Sequence, residues 1–184
     1  MYDCPEALEK SIHQINTGWK DAAETFYQLT RECNEGGSCV GWMDTWAPGR
    51  HAKMKCDMSV MISPEQYRRI AVHELEEQME WEEYPVYHLD GKEQLHHLDY
   101  ILGLEKLKMI QWTNVDGQET PAHFIPSLKK IQEAGKALLV MTPVSDIPPL
   151  MEHLSSKGLY LHTYAESVEE AKEIIGYVEK HTHE

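Results

Sequence analysis

Apolar residues recur along this chain with two periods, one typical of helices and one typical of short strands. The first stretch predicts a long helix that runs from the N-cap Asp3 to about Cys33 and ends before Gly36. Pro5 in its first turn supports this start. The helical period rests on Leu8, Ile12, Ile15, Trp19, Ala22, Ala23, Phe26 and Leu29.

The rest of the chain alternates between the two periods. A strand at 38–44 is followed by a loop at 45–50. Residues 51–60 are ambiguous, with a short extended segment around Met54 to Met58 as one interpretation. A second helix should begin with the capping box Ser63–Gln66 and reach about Glu82. Four strand–helix pairs then follow, with strands at 85–90, 107–112, 137–141 and 159–163 and helices at 92–102, 121–134, 146–156 and 167–180. Short connections of this kind predict an α/β fold with about five parallel strands. The pattern leaves open a doubly wound sheet and part of a (β/α)8 barrel.

Composition narrows the class of protein. A chain of 184 residues is about one domain, so we expect a single domain over 1–184. Its 17 basic and 31 acidic residues give a formal charge of −14, which disfavours nucleic acid and anionic membranes as partners. The four cysteines form no C-x-x-C pair and no apolar run reaches about 18 residues, so we expect a cytoplasmic protein with reduced thiols.

The most informative stretch is the apolar strand that ends in His88-Leu-Asp90. Alternate residues of a strand share a face, so His88 and Asp90 should point the same way at the carboxyl end, where parallel α/β proteins bind ligands. Both side chains can bind a proton, a metal or a polar substrate. A purely structural alternative is that Asp90 caps the next helix in a box with Glu93.

Two other predicted strand ends carry candidate binding residues. Trp42, Asp44, Trp46 and Arg50 surround the first one, where the tryptophan rings would wall a flat ligand. Gln111, Trp112 and Asn114 follow a later strand and form a second polar cluster. The alternative for each cluster is that its aromatic residues belong to the core.

Five segments in this order resemble the carboxy-terminal part of the uroporphyrinogen decarboxylase superfamily, which includes cobalamin-linked methyltransferases and proteins labelled trimethylamine corrinoid protein. They are Cys56–Tyr67, Val86–Gly91, Ile110–Asn114, Ile131–Lys136 and Lys157–Thr163. The resemblance implies the second half of a (β/α)8 barrel. An open half-barrel leaves a strand edge uncovered, so a homo-oligomer is expected.

The resemblance implies two activities. The first is decarboxylation of a tetrapyrrole, with Asp44, His88 and Asp90 as catalytic candidates. The chain has only four arginines, however, and of these only Arg50 follows a predicted strand, where it could hold a substrate carboxylate.

The second activity is methyl transfer to a corrinoid that a partner protein carries, with zinc at a His-x-Cys motif. Here the motif reads His88-Leu-Asp90, and imidazole and carboxylate are still zinc ligands. A third ligand would come from Asp44, Gln111 or His162. The alternative to both activities is a non-catalytic ligand-binding or assembly half that needs a second copy or an amino-terminal half.

Overall fold

A computed structural model describes residues 3–184. The helices are α1 (Pro5–Thr30), α2 (Pro64–Gln66), α3 (Val72–Gln78), α4 (Leu98–Leu102), α5 (Ile125–Glu133), α6 (Ile147–His153) and α7 (Val168–His181). The strands are β1 (Ser38–Val40), β2 (Thr45–Ala47), β3 (Lys53–Lys55), β4 (Val86–Asp90), β5 (Met109–Thr113), β6 (Ala137–Met141) and β7 (Leu159–His162). Short 3-10 segments precede α4, α5 and α6, and a π-helical turn at Tyr67–Ala71 joins α2 to α3.

The main sheet confirms the predicted α/β class. Five parallel strands flanked by helices follow the order β3-β4-β5-β6-β7, so every strand neighbours the next one in sequence. A doubly wound sheet reverses its strand order at a switch point, and this sheet does not. The sequential order is compatible with part of a (β/α)8 barrel.

The first parallel strand was predicted wrongly. Residues 38–44 do not form one strand, because β1 and β2 pair antiparallel as a hairpin around a 3-10 turn at Gly41–Met43. Asp44 ends that turn in the left-handed conformation, with φ of 52°, which aspartate tolerates better than most residues. The first strand of the sheet is β3, whose three residues include a single apolar side chain, too little to form a visible pattern.

Two of the predicted helix starts are confirmed and one N-cap is wrong. The Ser63–Gln66 capping box is present at α2, and Ser167 Oγ accepts a hydrogen bond from the Glu170 N–H at the start of α7. Asp3 is not the N-cap of α1, because Cys4 occupies that position. Among residues 3–184, no helix combines the length and apolar character needed to cross a lipid bilayer.

The chain divides into two compact units. Unit 1 comprises the residues up to Tyr87 together with His96–Lys108, and unit 2 comprises His88–Leu95 together with Met109–Glu184. In unit 1, α1 packs along α3, and the Trp19 and Trp81 rings meet edge to face at 5.5 Å.

The sheet of unit 2 has two unlike faces. Register places Ile110 beside Leu138 and Trp112 beside Val140, and these buried side chains form an apolar face that includes the Trp112–Phe124 ring contact at 4.9 Å. Burial of each such side chain stabilises the fold by about 1.5–3 kcal/mol. The other face carries the residues of opposite parity, including His88 and Gln111.

Candidate functional site

The face of the sheet that carries His88 and Gln111 brings together residues from two adjacent strand ends. His88 Nδ1 lies 2.5 Å from Gln111 Oε1 and 3.2 Å from Thr113 Oγ1. Gln111 Nε2 donates to Thr113 Oγ1 at 2.7 Å. Strand alternation explains the cluster, because residues two apart on β5 point at the same neighbour on β4.

The orientation of the Gln111 amide favours one tautomer of the His88 imidazole. The amide oxygen Gln111 Oε1 only accepts hydrogen bonds, so its contact with His88 requires a proton on Nδ1. In a neutral ring, Nε2 is then the basic nitrogen. Nε2 lies 3.8 Å from Asp90 Oδ1, and the His88 and Asp90 side chains are 12% and 37% exposed. An oriented imidazole thus lies beside a carboxylate that solvent can reach.

The loop after β4 is tied to the loop after β5. Gly91 has φ of 77°, and a Cβ there would lie 2.8 Å from Gln118 Oε1 and from Val115 Cγ2. Gln118 accepts from the Lys92 N–H at 3.1 Å and donates to Glu93. Lys92 Nζ also donates to Glu119, at 2.9 Å. These bonds hold the backbone that follows Asp90.

The predicted capping contact to Asp90 forms with another partner than the expected Glu93. The residue that bonds back to the Asp90 N–H is Gln94, through its Oε1 at 3.2 Å. Glu93, the expected partner in the box, accepts from Gln118 instead. The predicted pairing of Asp90 with Glu93 is therefore replaced by one with Gln94.

The same face continues across β6 and β7. Register places Leu139 beside Tyr160 and Met141 beside His162. The Tyr160 and His162 rings lie parallel, with centroids 6.5 Å apart. The centroid of the Tyr164 ring is 5.2 Å from that of His162. From the sequence, His162 was predicted only as a metal ligand, and Thr113 and Tyr160 were not predicted as site residues. Strand alternation would have placed all three side chains on this face.

The remaining unit 2 candidates lie elsewhere. Trp112 points to the opposite, apolar face, where it is fully buried against Phe124, so its position is that of a core residue. Asn114 follows β5 and is half-buried, and its Oδ1 has no hydrogen-bond partner within residues 3–184. A buried acceptor without a donor is costly unless a small molecule or water supplies one.

The hairpin candidates belong to unit 1. Trp42 and Trp46 are each about half exposed, at 46% and 48%. The Trp46 indole donates to the Asn34 carbonyl at 3.2 Å, and Lys53 Nζ lies 5.3 Å from the centre of the Trp42 ring. Asp44 is at the hairpin turn rather than at the end of a parallel strand. The geometric reason for grouping these residues with a strand-end site is therefore lost.

Arg50 is held within unit 1 by acidic residues. Its Nε donates to Glu24 Oε2 at 2.7 Å, and its Nη1 lies 3.6 Å from Glu83. The hydrogen bond from Arg50, with others from Gln28 and Trp81, lowers the pKa of Glu24 to about 2. The guanidinium also lies over the Tyr27 ring at 5.2 Å. These partners occupy the group that was expected to hold a substrate carboxylate.

His88 and Asp90 fit two positions around a zinc ion. Two ligands bound at about 2.1 Å in a tetrahedral site lie roughly 3.4 Å apart, close to the observed 3.8 Å between Nε2 and Oδ1. The Gln111 bond to Nδ1 is the contact that typically orients a metal-binding imidazole. Among the expected third ligands, Gln111 already accepts from His88, whereas His162 lies on the same face of unit 2.

Comparisons with protein-family models, curated proteins and solved structures found no match to this chain.

Proposed function

We propose that this protein is an enzyme of the uroporphyrinogen decarboxylase type, with a small substrate bound at the carboxyl ends of β4 and β5. The observation that carries the proposal is the His88 imidazole, oriented through Nδ1 by Gln111 and Thr113 with Nε2 beside Asp90. Such an arrangement is typical of an imidazole that transfers a proton or binds a metal.

Corrinoid-linked methyl transfer is the activity that the site supports best. All four arginines of the chain belong to unit 1, so no guanidinium of unit 2 meets the carboxylates of a porphyrinogen. A bound zinc ion would supply Lewis acidity toward the methyl donor. His88 would bind the zinc through Nε2 and Asp90 through a carboxylate oxygen, and Gln111 would hold the imidazole ring. The corrinoid would come from a partner protein.

Decarboxylation of a tetrapyrrole is the second candidate, favoured by the aromatic side chains of Tyr160 and His162, whose rings lie parallel on the same face. As the carbon–carboxylate bond breaks, its electron pair stays on the carbon and carbon dioxide leaves. A proton from the His88 imidazolium or from the Asp90 carboxylic acid would then complete the product.

Zinc and uroporphyrin, titrated separately by calorimetry, distinguish these activities. Zinc binding at about one ion per chain that is lost in His88→Ala supports methyl transfer, whereas uroporphyrin binding lost in the same variant supports decarboxylation. His153→Ala, which removes an exposed histidine at the end of α6, is the matched control and should bind as the unmodified protein does. Binding of neither ligand, or equal binding by His88→Ala, would contradict the proposal.

A further inference from the structure

Helix α1 has an apolar face that solvent covers. The helix packs on α3 through one side, where Asn16 is buried. On another side, Ile15 and Phe26 are each 68% exposed and Leu29 is 72% exposed. Large apolar side chains at this exposure, aligned on one helix, are typical of a contact surface.

The exposed residues form a continuous stripe without charge. At 100° per residue, six side chains lie within an arc of about 80°. We call this set the α1 stripe, and it comprises Ser11, Ile15, Gly18, Ala22, Phe26 and Leu29. The charged residues of α1 lie outside the arc, and several are already paired within unit 1, such as Lys20 with Glu80 and Glu24 with Arg50.

We infer that the α1 stripe binds the α1 stripe of a second copy, antiparallel about a two-fold axis at Ala22. Under this symmetry, residues whose numbers sum to 44 face each other. Ile15 then meets Leu29 of the second copy, and Gly18 meets its Phe26. A two-fold interface must be self-complementary. The stripe meets this condition, because the large Phe26 side chain faces Gly18, which has no side chain, and Ile15 faces the similar Leu29.

Gly18 supplies the space that the symmetry requires. A Cβ built on Gly18 has no neighbouring atom within 4 Å, so the surface above the residue is open. Glycine inside a helix costs stability relative to alanine, and nothing within unit 1 approaches Gly18 closely enough to require it. The Phe26 ring of a second copy would occupy this open space.

The size of the α1 stripe determines how tightly we expect the two copies to bind. Residues 11–29 extend about 27 Å along the helix, whereas stable dimers bury about 800 Å² on each partner. A single helix pair supplies the apolar centre of such an interface, so we expect a dimer that dissociates on dilution. The stripe is separate from the His88 site, and the inference holds whether or not the proposed function does.

The test is the solution mass of the whole chain by light scattering across a dilution series. The mass should move from 21.3 kDa toward twice that value as concentration rises. Ala22→Glu and Ala22→Lys, each alone, should stay at the lower mass because like charges meet on the axis. An equimolar mixture of the two variants should recover the dimer, since opposite charges then face each other.

Two further variants control the test. Gln14→Glu adds the same charge at an exposed position of α1 outside the stripe and should dimerise as the unmodified chain does. Gly18→Leu places a good helix former at an open position, so the fold should be retained. The leucine side chain fills the space that Phe26 of the second copy would occupy and should prevent dimerisation. An unmodified chain that stays monomeric, a dimeric Ala22→Glu variant, or a mixture that does not recover the dimer would overturn the inference.

Discussion

At the scale of single residues, Gln111 orients His88. Gln111 is fully buried, and its Oε1 accepts a hydrogen bond from the His88 Nδ1–H. Neighbours of this kind typically change metal affinity or activity by 10- to 100-fold when they are replaced.

Gln111→Leu tests this orientation with a side chain of similar volume. We expect zinc affinity to fall by about 10- to 100-fold because the imidazole is no longer held in one tautomer. Calorimetric titration of zinc measures the change, and Gln14→Leu, at an exposed position of α1, is the control. Unchanged affinity in Gln111→Leu would show that His88 does not need this contact.

A second residue-scale prediction concerns Glu82 of unit 1. Its side chain is only 5% exposed, neither carboxylate oxygen has a hydrogen-bond partner within residues 3–184, and burial raises its pKa to about 9. In the unfolded chain the pKa of this carboxyl group has its ordinary value of 4.5. Between these two pKa values only the folded state keeps the proton, so the free energy of unfolding should fall as the pH rises.

Glu82→Gln removes the titrating group and should flatten the fall in unfolding free energy between about pH 5 and pH 9. Urea denaturation at a series of pH values measures the effect. Glu76→Gln, at an exposed glutamate of α3, should leave the slope as it is in the unmodified protein. A Glu82→Gln variant with that same slope would show that Glu82 is ionised in the folded protein.

At the scale of elements, the loop after β4 fixes where the site ends. Gly91 needs the left-handed backbone and also lies against Gln118 and Val115. Gly117 has a similar φ of 81° but open space around it. A comparison of substitutions at Gly91 and Gly117 therefore distinguishes the cost of backbone strain from the cost of a steric clash.

Gly91→Ala should destabilise the protein by more than Gly117→Ala does. Both variants incur left-handed strain of about 1 kcal/mol, and only the first adds a clash with the Gln118 side chain. Urea denaturation measures both free energies of unfolding. Equal losses in the two variants would show that the Gly91–Gln118 contact yields without cost.

The sequence pattern predicted some elements well because their signals are local. The boundaries of β6 agree with the structure, and the shared face of His88 and Asp90 followed from strand alternation. The strand β3 was predicted only as an ambiguous extended segment around Met54 to Met58, because three residues carry too little pattern to fix its bounds. The period of α1 identified its apolar positions but not which of them face α3, since that depends on contacts distant in sequence.

At the scale of the whole molecule, the strand order adds to what the sequence left open. The sequential order of the five strands is compatible with part of a barrel, whereas a doubly wound sheet reverses its strand order at a switch point. The sequence pattern could not give this order, because strand–helix alternation is the same in both folds.

The most direct test of the central claim is the protonation of His88, read from long-range proton–nitrogen NMR correlations of its imidazole ring. We predict that Nδ1 carries the proton in the free protein and that zinc shifts the Nε2 resonance, both signals being assigned by their loss in His88→Ala. A proton on Nε2, with no response to zinc or to uroporphyrin, would contradict the account.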